Sequence, residues 1–125
     1  MAKKKVLIVD DEKTLAELIM ESLTMMGDYC VEGAFNGQEA LEKYKSFLPD
    51  IVVMDIEMPV MDGYESSSQI KSFDPEAKIL MLTGNPGDSR ARKTIQEGIA
   101  LTLLKKPVKL IDLNRTISEN LPACA

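Results

Sequence analysis

The sequence contains no histidine. That absence removes imidazole general bases, histidine metal ligands and phosphohistidine, and with them serine–histidine and cysteine–histidine catalysis. Cysteine is scarce: Cys30 falls in a candidate strand, where it reads as a small buried residue, and Cys124 stands near the chain end. A disulfide framework is therefore not expected, and a reducing, cytoplasmic setting is. No apolar run approaches the ~18 residues that mark a membrane span. The run Val6–Val9, behind the basic Met1–Lys5, is too short for a signal peptide and ends in acids. Positive charge is not in excess either. The net charge is −5, which argues against a broad basic face for nucleic acid, although Lys3–Lys5 and Lys105–Lys109 form local basic clusters. Neither a G-x-G-x-x-G loop nor a Walker loop is present, so a flavin or nucleotide carrier is not expected.

What is present is a chain of 125 residues, 45% hydrophobic and 28% charged, enough for one domain with its own core. Residues 1–125 are read as that single domain. Short apolar runs alternate with helix-length amphipathic segments. Val6–Val9, Cys30–Ala34, Ile51–Met54, Ile79–Leu82 and Thr102–Leu104 read as strands. Glu12–Met26 places Leu15, Leu18, Ile19 and Leu23 on one helical face, and Gln38–Leu48 repeats the period through Leu41, Tyr44 and Leu48. Tyr64–Phe73, weakened by Ser66, Ser67 and Ser68, Asp88–Glu97 before Gly98, and Leu110–Leu121 complete the helices. The methionines read as core or surface filler, and for Met25, Met26, Met58 and Met61 core packing is favoured over an adaptable binding surface. Five βα units with doubly apolar strands predict an α/β fold: a parallel sheet covered by helices on both faces.

In such a sheet, chemistry collects beyond the carboxyl ends of the strands. After the first apolar run stand Asp10, Asp11 and Glu12; after the third, Asp55; after the fourth, Thr83; after the fifth, Lys105 and Lys106. Each alone has an ordinary reading as a helix N-terminus, a strand-end acid, a loop start or a solvated pair. Together they define one edge. Two carboxylates ~4 Å apart repel by roughly 4 kcal/mol at an effective dielectric near 20, so converging acids require a counter-charge. Magnesium, a hard cation with oxygen ligands, suits them. A lysine ammonium and a threonine hydroxyl suit a phosphoryl group, and a carboxylate is able to act as the nucleophile that forms an aspartyl phosphate.

The motifs Val6–Glu12, Asn36–Leu41, Pro49–Gly63, Leu82-Thr83-Gly84 and Lys106-Pro107 follow one another across nearly the whole chain. In this order they resemble the receiver domain of two-component response regulators, of the single-domain chemotaxis type. The resemblance implies a flavodoxin-like fold with strand order 2-1-3-4-5. It implies that Asp55 takes a phosphoryl group from a histidine of a sensor kinase or phosphotransfer protein. Magnesium would be held by Asp10, Asp11, Asp55 and the backbone carbonyl of Glu57. Thr83 would turn to hold the phosphoryl group, Lys106 would pair with it, and Gly84 would leave it space. The side chains of Glu57 and Asn85 would tune its lifetime. The surface of the fourth helix, fifth strand and fifth helix would then change its protein partner, with no role for nucleic acid or membrane and no turnover beyond the protein's own phosphorylation and dephosphorylation.

The sequence departs from the family pattern in three places. The fifth strand runs one residue long, so counting from Gly98 selects Lys105 as the site lysine whereas adjacency to proline selects Lys106; Lys106 is preferred, because that lysine–proline bond is usually cis in the family. The aromatic usually found three residues before the lysine is replaced by Leu103, or by Thr102 in the other alignment. Ser66–Ser68 has no functional account. A second function remains in view, a magnesium-dependent phosphohydrolase resembling the haloacid dehalogenase group, with Glu57 as the acid two residues after the nucleophile; a cap and a later acidic motif are missing. A degenerate receiver acting as a binding module is the third.

Overall fold

The computed structural model describes residues 3–121; Cys124 lies outside them. Apolar runs and amphipathic segments alternate as β1 (Lys4–Val9), α1 (Lys13–Met26), β2 (Tyr29–Ala34), α2 (Gly37–Phe47), β3 (Ile51–Asp55), α3 (Gly63–Phe73), β4 (Ile79–Thr83), α4 (Ser89–Gln96), β5 (Thr102–Lys105) and α5 (Leu110–Asn120). The strands are all parallel and ordered β2-β1-β3-β4-β5, the order the family resemblance implies. The chain reverses its direction of progress between β1 and β3, which leaves a crevice at the carboxyl edge there.

Alternation along the strands divides the core in two. Leu7, Val9, Val52, Met54, Ile79 and Met81 meet Ala40 and Tyr44 of α2, Ile70 of α3 and Ala91 of α4. Val6, Ile8, Ile51, Val53, Leu80 and Leu82 meet Ala16, Ile19 and Leu23 of α1 and Leu113 and Ile117 of α5. These strand residues are buried, each worth roughly 2 kcal/mol. Such burial explains why the three central strands read as unbroken apolar runs.

Three helices start on side-chain caps at the carboxyl edge. Asn36 accepts from Glu39 N, Asp62 from Glu65 N, and Asp88 from Arg90 N and Ala91 N. A cap contributes about 1 kcal/mol, which helps the serine-rich α3 to form. The serines themselves lie at a helix contact: Ser66 and Ser67 are buried, and Ser66 Oγ donates to Gly37 O of α2 at 2.8 Å. Small side chains there let α3 approach α2.

Several sequence expectations are corrected. Cys30 is exposed, because β2 is an edge strand and the side chain opposite to Tyr29 lies outside the cover of α2. Leu48 is not on the α2 face; it closes the helix in a left-handed conformation, φ 51°, and is exposed. Leu18 is 54% exposed on the flank of α1. Met25 and Met26 are exposed at the end of α1 rather than packed in the core, whereas Met54, Met58 and Met81 are buried.

Candidate functional site

The strands extend one residue past the apolar runs at three ends, so that Asp55, Thr83 and Lys105 belong to the ladder. Asp55 is paired with Leu82 and Thr83 with Lys105. Beyond the ladder the backbone stays tied: Asp10 N donates to Ala34 O, Ile56 N to Leu82 O and Lys106 N to Thr83 O, at 3.2, 2.9 and 2.8 Å. These bonds carry the sheet's rigidity into the residues that bear the polar groups.

Asp10 and Asp55 are both buried acids. Asp10 Oδ1 accepts from Glu12 N at 2.9 Å, which anchors the turn into α1 in place of a side-chain cap. Asp55 Oδ1 accepts from Glu57 N at 3.2 Å. Between the two carboxylates stands the Lys106 ammonium, 3.0 Å from Asp55 Oδ1 and 3.3 Å from Asp10 Oδ2. Strand alternation selects this lysine. Leu103 faces the core of α2, α3 and α4, and Leu104 that of α1 and α5. Lys105 therefore points to the first side, where it is exposed, and Lys106 to the second, toward Asp10. The Lys106–Pro107 peptide is cis.

Burial raises the Asp55 carboxyl to about 7; the charge of Asp10 pushes the same way, while Lys106 and the Glu57 N–H pull it back. Burial works against the Lys106 charge, yet Asp55 and Asp10 outweigh it and hold the ammonium above its ordinary range. One ammonium is thus firmly charged between two acids, one of which ionises reluctantly. Asp11 is exposed, and Asp10, Asp11 and Asp55 each present a carboxylate oxygen within 4.8 Å of the others. Three hard oxygen donors, two of them buried with a single ammonium, fit a small divalent cation such as magnesium.

The other side of the site is built from β4. Thr83 is fully buried. Its Oγ1 accepts from Asn85 N at 3.0 Å and lies within hydrogen-bonding distance of Asn85 O, 3.0 Å, and Glu57 Oε1, 3.1 Å. Glu57 Oε1 also accepts from Gly84 N at 3.1 Å. The Asn85 side chain turns away to accept from Gly87 N, so Asn85 meets Thr83 through its backbone. Leu103 is half-buried against the α2, α3 and α4 core and lines a surface depression with Arg92, Ile95 and Gln96 of α4.

Two further residues, Asp62 and Gly63, support the site from the start of α3. Gly63 N donates to Ile56 O, and a Cβ at Gly63 would run into the Asp55 carbonyl oxygen and stand 2.7 Å from Ile56 Cα. Asp62, besides capping α3, is 3.3 Å from Arg90 Nη1 at the start of α4. The Asp62-Gly63 turn thus holds the end of β3 from below. The dipeptide signals a turn in any sequence, and nothing local to it announces that the glycine touches the Asp55 backbone.

Residues 6–118 match the response regulator receiver domain. The chain is 39% identical over 120 residues to the chemotaxis protein CheY of Halobacterium salinarum, covering 96% of this chain and 98% of that one. Among solved structures, a CheY-like receiver domain protein from Methanospirillum hungatei superposes with a TM-score of 0.87 at 30% identity, covering 94% and 93% of the two chains. A CheY from Borrelia burgdorferi, solved with CheX, BeF3 and magnesium, superposes with a TM-score of 0.83 at 31% identity, covering 95% and 90%.

Proposed function

The chain belongs to the response regulator receiver domain family, and we propose that Asp55 is where it accepts a phosphoryl group. Receivers of this type are phospho-accepting signalling switches of two-component systems, not turnover enzymes, and membership disfavours the phosphohydrolase reading. The observation that carries the assignment is the placement of Asp55: a buried strand-end carboxylate, ion-paired with Lys106, with Asp10 on the far side of the ammonium.

The chemistry follows from the neighbours. An oxygen of ionised Asp55 attacks the phosphorus of a phosphohistidine on a sensor kinase or phosphotransfer protein; a P–O bond forms as the P–N bond breaks, and the imidazole leaves. Lys106 holds Asp55 in its ionised form during attack and then faces the new phosphoryl oxygens as a point charge. Asp10, Asp11, Asp55 and the Glu57 carbonyl are the groups that would hold magnesium, which supplies charge neutralisation when bound. Thr83 Oγ1 and Gly84 N–H donate to the phosphoryl oxygens. The side chain of Glu57 stands at the rim, and residues 57 and 85 set how long the acyl phosphate survives.

The signal leaves through α4, β5 and α5 to a protein partner. Leu103 takes the position of the usual aromatic, and Ile95 of α4 and Ile111 of α5 are exposed. No described helix is long and apolar enough to cross a membrane. The test is incubation with acetyl phosphate and magnesium. The reading expects one hydroxylamine-labile phosphoryl group per chain and no sustained hydrolysis of small phosphate esters; steady turnover of such esters would restore the phosphohydrolase.

A further inference from the structure

The Glu57 side chain is exposed and unconstrained by packing, yet one of its oxygens is held at two converging donors. Those donors are the hydroxyl of buried Thr83 and the N–H of Gly84, each 3.1 Å from Oε1. A hydroxyl and a backbone N–H meeting on one anionic oxygen make a small oxyanion site. The root of the same residue is fixed to the nucleophile, since Glu57 N donates to Asp55 Oδ1. Glu57 therefore bridges the two strand ends: its backbone is at Asp55 and its carboxylate is at Thr83 and Gly84.

We infer that the Glu57 carboxylate is a built-in surrogate for the phosphoryl group, occupying in the resting protein the two donors that a phosphoryl oxygen on Asp55 takes in the active one. The inference rests on the assignment of Asp55 as acceptor and adds a competition to it. Phosphorylation breaks the contacts of Oε1 with Thr83 Oγ1 and Gly84 N and replaces both with contacts to a phosphoryl oxygen; the released carboxylate turns to water, which its exposure permits. Without Glu57, Gly84 N–H has no other partner among the described residues, while the single hydroxyl proton of Thr83 can turn to Asn85 O and its oxygen still accepts from Asn85 N. The resting state is thus held by an occupied anion site rather than an empty one. Residue 57 acts on the ease of entering the phosphorylated state as well as on its lifetime.

The experiment compares wild type with Glu57→Ala and Glu57→Asp for binding of beryllofluoride with saturating magnesium, by calorimetry, and follows the Gly84 amide resonance in the free proteins. Glu57→Ala removes charge and acceptor; Glu57→Asp keeps the charge but shortens the side chain so that it no longer reaches both donors. Competition predicts that both variants bind beryllofluoride about tenfold tighter than wild type, and that the Gly84 amide shifts in both before any ligand is added. An unshifted Gly84 amide overturns the inference. So does tightening in Glu57→Ala alone, which assigns the effect to charge repulsion. Equal affinities in all three proteins, with wild type binding normally, overturn the inference while leaving Asp55 as acceptor. A wild type that binds no beryllofluoride overturns both.

Discussion

Lys106 Nζ lies between two buried carboxylates, 3.0 Å from Asp55 and 3.3 Å from Asp10, while Lys105 beside it in sequence is exposed. Lys106→Ala therefore removes the counter-charge of the site, and binding of beryllofluoride with magnesium is expected to weaken by about 30-fold or more. Lys105→Ala is expected to stay within about twofold of wild type. Equal losses in the two variants would show that the site draws on the whole basic cluster rather than on one aimed ammonium.

The raised Asp55 carboxyl gives the metal-free protein a definite pH dependence. Its pKa is about 7 in the folded chain and roughly 3.9 when unfolded, so the folded state holds the proton more tightly. The resulting stabilisation is complete below pH ~4 and lost as pH rises through about 7. Asp55→Asn carries no such proton. Its stability relative to wild type, measured by thermal melts without magnesium, is expected to climb between pH 4 and 8. A difference that stays flat across that range would sink the assignment of a raised pKa to Asp55.

Magnesium should stabilise the protein through the same acids. A melting temperature that rises with magnesium, and a rise abolished by Asp11→Ala, is the expected result, because Asp11 is exposed and its removal leaves the core untouched. If Asp11→Ala keeps the full magnesium shift, the cation is bound elsewhere.

Gly63 and Gly84 differ sharply in the room they have. A methyl at Gly63 meets the Asp55 and Ile56 backbone, whereas the nearest atom to one at Gly84 is Glu57 Oε1 at 3.7 Å. Gly63→Ala is expected to cost about 3 kcal/mol in denaturant unfolding and Gly84→Ala less than about 0.5 kcal/mol. The reverse ranking would contradict the packing at the end of β3.

Much of this architecture was legible in the sequence because central parallel strands are buried on both sides. Val6–Val9, Ile51–Met54 and Ile79–Leu82 leave no second reading, and the residues that follow them necessarily share one sheet edge. The edge strand was less legible: β2 is apolar on one face only, so Cys30 was misplaced in the core. Leu48 misled because its helical spacing is correct but its backbone has already turned left-handed. At the site, residue types announced the acids, Thr83 and the lysine pair. What pattern reading does not reach is contact between side chains far apart in the chain. The Glu57 carboxylate on Thr83 and Gly84, the Gly63 backbone under Asp55, and the Arg90–Asp62 pair each depend on how two loops meet.

The central claim is that Asp55 accepts the phosphoryl group, and the most direct measurement is to locate the modification. After reaction with acetyl phosphate and magnesium, borohydride reduction converts an aspartyl phosphate to homoserine, which peptide mass spectrometry places in the sequence. The account predicts homoserine at position 55 and no labelling of Asp55→Asn. Homoserine at position 10 or 11, or full labelling of Asp55→Asn, would contradict it.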